Sequence, residues 1–145
     1  MSGRRLRGMR VLGLDIGEKR IGVALSDPDG IIASPLTIIE HKSQDSALGQ
    51  IVALARQHEV GHIVVGLPRS LDGSLGGQAL SVEKFVKLLE GLTDVPVTRW
   101  DERFSTVAAN RMMAESGVKR RKKKEKRDSL AAAFILQGFL DRDTR

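Results

Sequence analysis

Asp15 is the residue whose surroundings point most directly to chemistry, because it is a single carboxylate inside an otherwise apolar, strand-like stretch, residues 11–16. Strand alternation places it on the same face as Gly13 and Gly17, neither of which has a side chain. A buried carboxylate is costly unless it is paired, hydrogen-bonded or bound to a metal ion. The sequence therefore predicts a partner for Asp15 elsewhere in the chain, the alternative being a solvated aspartate near a strand end.

Two further acidic residues stand where such a site could be completed. Glu102 follows the fifth predicted strand, and Asp128 opens the last predicted helix. Sites in open sheets gather at strand ends where connections diverge, so these two residues and Asp15 are predicted to converge. One or two Mg²⁺ or Mn²⁺ ions would balance three carboxylates and suit phosphodiester hydrolysis. Alternatively, Glu102 pairs with Arg99 or Arg103 at the surface and Asp128 only caps its helix.

The composition is that of a single soluble domain and excludes several kinds of site. The 145 residues are 41% hydrophobic and 29% charged, and no apolar run approaches the roughly 18 residues of a membrane span. The Arg-rich start lacks the apolar stretch of a signal peptide, so a cytoplasmic location is expected. There is no cysteine, and the three histidines lack metal-ligand spacing on a common helix. Any bound metal must therefore have oxygen ligands.

Positive charge is concentrated in residues 119–127, here called the basic segment. It holds eight of the 24 basic and one of the 18 acidic residues, which leaves 16 basic and 17 acidic residues elsewhere. The cations predicted to bind nucleic acid are Lys119, Arg120, Arg121, Lys122, Lys123, Lys124, Lys126 and Arg127. A solvated charge run is the alternative. Because like charges repel and no apolar residue anchors them, the free segment is predicted to be mobile up to Asp128.

The hydrophobic pattern predicts three strands followed by alternating helices and strands. Residues 10–16 and 20–26 form a hairpin, and residues 31–39 form a strand that Pro35 confines to an edge or a bulge. The later elements are a helix from a Ser43 cap to about His58, a strand over 62–67, a helix ending near Gly91, a strand over 95–100, a helix over about 105–117 and a buried helix over 129–140. This order predicts one α/β domain over 10–145, a five-stranded mixed sheet flanked by helices, after a basic arm over 1–9.

Four stretches of the chain form a recognisable set of motifs. They are LGLDIGEKRIGVA at 12–24, GLPRSLDG at 66–73 with QA at 78–79, DERFSTVAA at 101–109 and DSLAAAFIL at 128–136. In this order they resemble the YqgF/RuvX family, regarded as pre-16S rRNA nucleases and earlier described as Holliday junction resolvases. The resemblance implies a ribonuclease H-like fold and a carboxylate metal site that maps onto Asp15, Glu102 and Asp128.

Two positions depart from the family pattern while leaving those carboxylates intact. Arg127 stands where an apolar residue is expected before the last acid, which bears on the packing around Asp128. Arg69 and Ser70 replace the usual apolar-Asn pair in the 67–77 loop. That loop could approach a phosphate, act as a lid or be a plain surface turn.

These observations predict a metal-dependent nuclease that acts on structured nucleic acid. The family resemblance implies that its substrate is the end of pre-16S rRNA, with ribosomal precursor particles as the setting. One alternative is a Holliday junction resolvase, which needs a two-fold dimer. No dimer interface is evident, so a monomer or weak homodimer is expected. A phosphate binder of the actin-like ATPase type would need a second domain, and a nucleic-acid-binding module without catalysis would have no use for Asp15.

Overall fold

A mixed sheet of five strands lies at the centre of the protein in the computed structural model, which describes residues 9–68, 77–101 and 120–142, with side chains in the last range from 129 onward. The strands are β1 (Arg10–Ile16), β2 (Arg20–Ser26), β3 (Ala33–Glu40), β4 (Val60–Leu67) and β5 (Val97–Asp101). Their order is β3-β2-β1-β4-β5. The pairs β1–β2 and β2–β3 are antiparallel, and β4 is parallel to both β1 and β5. The predicted mixed sheet, with three antiparallel strands first, is confirmed.

Three helices are described: α1 (Gln44–Gln57), α2 (Gly77–Leu92) and α3 (Arg120–Asp141). Ser43 caps α1 as predicted, since its Oγ accepts a hydrogen bond from the Ser46 N–H at 3.1 Å. None of the described helices is both long and apolar enough to cross a membrane. The helix predicted over about 105–117 and most of the basic arm lie outside the described residues.

The alternation of β1 divides the core between the two faces of the sheet. Leu12 and Leu14 are fully buried in the larger cluster, together with residues of α1 and α2. Val11 belongs to a second buried cluster, which also contains Val64 of β4 and Phe139 of α3. The sheet is therefore covered by α1 and α2 on one face and by α3 on the other, and both sides of β1 are packed.

Pro35 lies both in an edge strand and at a bulge, and either position accommodates its missing N–H. Strand β3 is an edge strand of the described sheet. Its register with β2 shifts between Val23, which pairs with Thr37, and Ala24, which pairs with Pro35. One extra residue is thus accommodated in β3 as a bulge beside the proline, as the sequence predicts.

The start of β3 differs from the prediction because a side chain takes the backbone donors. Asp27 Oδ1 accepts hydrogen bonds from the N–H groups of Ile31 at 2.7 Å and Ile32 at 2.8 Å. These bonds lower the pKa of Asp27, the contribution from Ile32 being the largest. The strand accordingly begins at Ala33 and not at Ile31.

The last helix begins nine residues earlier than predicted. Helix α3 starts at Arg120, so the prediction that Asp128 opens and caps it is wrong. Residues 120–127 have a helical backbone, and mobility of the free segment stays a prediction. Lysine and arginine are good helix formers, and no glycine or proline interrupts this stretch, so helix propensity and the buried half that follows outweigh charge repulsion.

Candidate active site

Asp15 lies at the carboxyl end of β1, the central strand of the sheet. Its partner in the antiparallel pairing with β2 is Gly22. In the parallel pairing Leu14 is aligned with Val65, so the next residue of β4, Gly66, is level with Asp15. The aspartate is half-buried, and neither neighbouring strand has a side chain directly beside it. Its carboxylate is therefore partly withdrawn from water without being crowded by β2 or β4.

Helix α3 crosses this face of the sheet in contact with the backbone of β1. A Cβ atom at Gly13 would lie 2.7 Å from Leu136 Cβ and 3.1 Å from the Ala132 carbonyl oxygen. Non-bonded carbon atoms normally stay about 3.5–4.0 Å apart. The glycine therefore allows the helix to approach, and α3 occupies the space that the missing side chain leaves on this face.

The direction of α3 relative to β1 follows from two contacts. The Phe139 ring stacks on His62, with 5.2 Å between ring centroids, and His62 is the β4 partner of Val11. Ala132 lies instead at Gly13, further along β1. The helix therefore runs antiparallel to β1, and its N-terminal half extends toward the end of the sheet that carries Asp15.

This direction brings the backbone at Asp128 to the same end of the sheet as Asp15. Asp128 precedes Ala132 by four residues, one helical turn or about 6 Å along the axis. Asp15 follows Gly13 by two residues, about 6.6 Å along the strand. The two steps match, although the prediction had placed Asp128 at a helix start.

The third predicted ligand, Glu102, lies outside the described residues and directly follows β5. Trp100 of β5 packs edge-to-face on Phe139 of α3, with ring centroids 6.0 Å apart. Strand alternation therefore puts Asp101 on the opposite face from Trp100 and Asp15. Asp101 is thus not part of the surface that carries Asp15, which makes it a suitable control residue.

Within the described ranges, no group of three or more acidic or histidine side chains is placed to hold a metal ion. Asp15 is the one predicted ligand whose side chain belongs to those ranges. It offers hard carboxylate oxygen, the donor that Mg²⁺ and Mn²⁺ prefer. The convergence of Asp15, Glu102 and Asp128 stays a prediction.

Arg99 is engaged away from the site. Its Nε donates to both carboxylate oxygens of Glu83, at 2.8 and 2.7 Å, and its terminal nitrogens donate to Glu90 at 3.2 and 3.4 Å. These ion pairs tie β5 to α2. A surface pairing of Glu102 with Arg99 would have to compete with two carboxylates that already hold the guanidinium.

The basic segment leads into Asp128 as part of one helix. Lys119 lies outside the described residues, and the backbone from Arg120 to Arg127 forms the first two turns of α3. Phosphate binding by the segment remains a prediction, but its cations and Asp128 belong to one continuous element.

The family model for RuvX, described as Holliday junction resolvase, matches residues 9–142. The chain belongs to the RuvX family. A relative from Clostridium kluyveri is 48% identical over 134 residues, covering 92% of this chain and 98% of the relative. One from Roseiflexus sp. (strain RS-1) is 48% identical over 132 residues, covering 91% and 94%. Both relatives bear the name "Putative pre-16S rRNA nuclease". The resemblance in the sequence motifs is thereby confirmed.

Solved structures show the fold of this RuvX chain. Thermus thermophilus RuvC in complex with a Holliday junction substrate has a TM-score of 0.59 at 14% identity, covering 94% of this chain and 96% of that one. The fowlpox virus resolvase in complex with Holliday junction DNA has a TM-score of 0.59 at 8% identity, covering 94% and 100%. The ribonuclease H-like fold predicted from the sequence is confirmed.

One feature near Asp15 in this RuvX chain was missed by sequence reasoning. His41, considered only as a possible metal ligand, contacts the turn between β1 and β2: its Nδ1 lies 2.9 Å from the carbonyl oxygen of Gly17. Its ring also meets Phe85 of α2 edge-on. The sequence does not reveal these contacts, because Gly17 is 24 positions and Phe85 is 44 positions away from His41 along the chain. Their proximity follows only from the order of the strands in the sheet.

Proposed function

We propose that this protein is a metal-dependent nuclease that hydrolyses phosphodiester bonds in structured nucleic acid, and that its substrate is the end of pre-16S rRNA. The observation that carries the proposal is the position of Asp15. It lies at the carboxyl end of the central strand, with Gly22 and Gly66 beside it on the two neighbouring strands. Helix α3 brings the backbone at Asp128 to the same end of the sheet, which supports a site made from separate elements. Family membership and the resolvase-like fold support nuclease chemistry.

The metal site is assigned to Asp15, Glu102 and Asp128. The described part of this set fits a divalent ion, because Asp15 is half-buried and its flanking strand positions, Gly22 and Gly66, have no side chains. Bound Mg²⁺ or Mn²⁺ would act as a Lewis acid toward the phosphate and support formation of the attacking hydroxide. The chain itself would orient the scissile phosphate and neutralise its neighbours through the basic segment.

The cations of the basic segment are assigned to substrate phosphates. Eight cations in nine residues provide charge without base selectivity, as expected for backbone contacts. Because residues 120–127 and Asp128 share α3, a phosphate held by the segment would be fixed relative to the site. Ribosomal precursor particles are the proposed setting, which the names of the relatives support.

Cleavage of four-way DNA junctions is the second candidate function. It is favoured by the family's description as Holliday junction resolvase and by the resolvase structures of the same fold. A junction would require two such sites related by two-fold symmetry, and hence a dimer in solution. Comparing the two substrates on one preparation therefore separates the candidates.

The test compares wild type with Asp15→Asn on labelled pre-16S RNA and on a four-way DNA junction, across a titration of Mg²⁺ and Mn²⁺. Asp15→Asn keeps the shape of the side chain and removes its charge. Cleavage should fall by at least about two orders of magnitude, because charge stabilisation at the reacting phosphate is lost. Thermal stability should stay equal or rise, since without metal the carboxylates repel one another.

Asp101→Asn serves as the matched control, because Asp101 lies on the opposite face of β5 from Trp100. It should leave the rate and the metal dependence unchanged. Wild-type cleavage by Asp15→Asn at every metal concentration would overturn the site. If Asp101→Asn is the damaging change and Glu102→Gln is silent, the assignment across β5 is one residue out.

A further inference from the structure

A small cavity of roughly 110 Å³ lies beside the turn that follows Asp15, here called the hairpin pocket. Its deep wall is apolar and buried, formed by Ile16, Val82 and Phe85. Its polar lining includes exposed Gln78 and Ser81 of α2, exposed Gln44 of α1 and the exposed carboxylate of Glu18. The pocket thus combines an apolar interior with a hydrogen-bonding edge, next to the strand that carries the proposed metal ligand.

The wall formed by the turn is held by several hydrogen bonds. The Gly17 N–H donates to the Arg20 carbonyl oxygen at 2.9 Å, and a Cβ at position 17 would come within 2.5 Å of that oxygen. His41 Nδ1 lies 2.9 Å from the Gly17 carbonyl oxygen, so this nitrogen is the donor. The His41 backbone N–H donates to the Lys19 carbonyl oxygen at 2.8 Å. The pocket is therefore a built feature of the hairpin.

The aromatic contact at the pocket adds shape and chemistry. The rings of His41 and Phe85 meet edge-on, with centroids 5.6 Å apart and planes at 72°. Phe85 is anchored in the main core at 1% exposure, so its ring presents a fixed apolar surface. A flat ring that enters the pocket would find that surface inside and amide and hydroxyl groups at the opening.

The size selects a single ring. A closed apolar cavity of about 150 Å³ holds a benzene molecule. A pocket of roughly 110 Å³ with an open mouth can therefore receive one six-membered ring, and the second ring of a purine would be left outside it. A pyrimidine base has the matching chemistry, with apolar faces and a polar edge. Base recognition by nucleic-acid enzymes commonly uses such an unstacked base between aromatic or apolar side chains.

The location connects the pocket with the proposed site. Gly17 follows Asp15 by two residues at the same end of β1. The Asp15 side chain belongs to the α3 face, and the pocket lies on the face of α1 and α2. A nucleic-acid strand that passes over this end of the sheet would present a phosphate to Asp15 on the α3 face and one base to the pocket on the face of α1 and α2.

From these observations, and resting on the proposed nuclease function, we infer that the hairpin pocket receives one unstacked pyrimidine base of the nucleic-acid strand beside the phosphate to be cleaved. The chain would thereby select unpaired pyrimidines near its cleavage position in RNA or DNA. This selectivity comes from a specific pocket, in addition to the charge of the basic segment.

The test measures binding without divalent ions, so that it does not depend on cleavage. The probes are a stem–loop RNA with one unpaired uridine beside the stem, the same RNA with an abasic site there, and one with adenosine there. The full-length wild type should bind the uridine RNA about 5- to 150-fold more tightly than the abasic RNA, the range expected for one stacked base. Adenosine should recover little of the difference.

Ser81→Leu places an apolar side chain at the mouth of the pocket without touching a proposed metal ligand. It should lower the affinity for the uridine RNA to that for the abasic RNA and leave the latter unchanged. Ser46→Leu is the matched control, an exposed helical serine outside the pocket, and should preserve the wild-type difference. Thermal unfolding of both variants should match wild type.

Equal binding of the uridine and abasic RNAs by wild type would overturn the pocket assignment, as would a full difference in Ser81→Leu. Either result could coexist with metal-dependent cleavage, in which case the nuclease function stands. Conversely, a uridine preference without any cleavage would support the pocket and count against the nuclease.

Discussion

The contact of α3 with the backbone of β1 predicts a specific effect of Gly13→Ala. The new methyl carbon would lie 2.7 Å from Leu136 Cβ and 3.1 Å from the Ala132 carbonyl oxygen. Neither atom can move aside by rotating a flexible side chain, so α3 must shift by about 1 Å to restore normal contact distances. Overpacking of this kind costs about 1–3 kcal/mol.

The substitution also has a stabilising component, because alanine restricts the unfolded chain by about 0.4–1 kcal/mol relative to glycine. The expected net loss in the free energy of unfolding is about 1–2 kcal/mol, measured by urea unfolding. The cleavage rate of the folded variant should also fall, because a shift of about 1 Å in α3 displaces Asp128. Such misplacement can cost about 100-fold in rate.

Two other glycines provide the controls. A Cβ at Gly49 in α1 would have no neighbour within 4 Å, so Gly49→Ala should gain about 0.5–1 kcal/mol. In β4, a Cβ at Gly61 would lie 2.7 Å from Met9 Sδ and 3.1 Å from Met9 Cβ, so Gly61→Ala requires a small shift of the chain at Met9 and should lose less stability than Gly13→Ala, which displaces a helix. If Gly13→Ala unfolds at the same urea concentration as Gly49→Ala, α3 does not rest on β1 at Gly13.

Two further predictions concern charge. Asp27→Ala should lose about 0.5–1 kcal/mol, since two solvent-exposed backbone N–H groups exchange a carboxylate acceptor for water. The pKa of Asp27 is lowered in the fold, so its contribution is complete above the unfolded value of about 3.9 and lost as pH falls through the folded pKa; urea unfolding between pH 2 and 6 should show a shallower acid dependence in the variant, and an unchanged dependence would refute this. Replacing the four lysines at 122, 123, 124 and 126 by glutamine should flatten the salt dependence of duplex binding by about 3.6, at about 0.9 per phosphate contact. Lys84→Gln with Lys87→Gln on α2 is the control, and a wild-type salt slope in the fourfold variant would leave the segment a solvated charge run.

Much of the sheet was predictable because strand alternation is a local signal. The predicted bounds of β1 and β2, about 10–16 and 20–26, match the structure. The missing N–H of Pro35 predicted an edge strand or a bulge, and the structure has both. The start of β3 was not predictable from periodicity, because it depends on a side-chain bond from Asp27 to two backbone donors. Such bonds compete with strand pairing and leave no trace in the apolar pattern.

The candidate site was predictable only where a residue contradicted its surroundings. Asp15 stood out as a charge in an apolar strand. The glycines beside it, Gly22 and Gly66, depend on the register of two different pairings, one of them across a crossover. The contact of His41 with Gly17 likewise requires β3 to lie at the outer side of the hairpin. These neighbours are tertiary features, so no local pattern encodes them.

The helical form of residues 120–127 gives a reason to expect that phosphate binding by the basic segment affects the position of Asp128. Cations near a helix N-terminus oppose the helix dipole. Like charges also recur four residues apart, in the pairs Arg120 with Lys124, Lys122 with Lys126 and Lys123 with Arg127, each unfavourable by about 0.2–0.5 kcal/mol.

The first two turns of α3 therefore depend on helix propensity and on continuity with the buried half, in which Ala132, Ile135 and Leu136 are fully buried. Bound phosphates would reverse the sign of both charge effects, because an anion at this end is favoured by the dipole and offsets the repulsion between cations. Substrate would thus stiffen an existing helix up to Asp128. If the segment were a loop, it would first have to fold. Phosphate binding and the position of Asp128 would thereby be coupled, with a small ordering cost because the backbone of the segment already has its helical conformation.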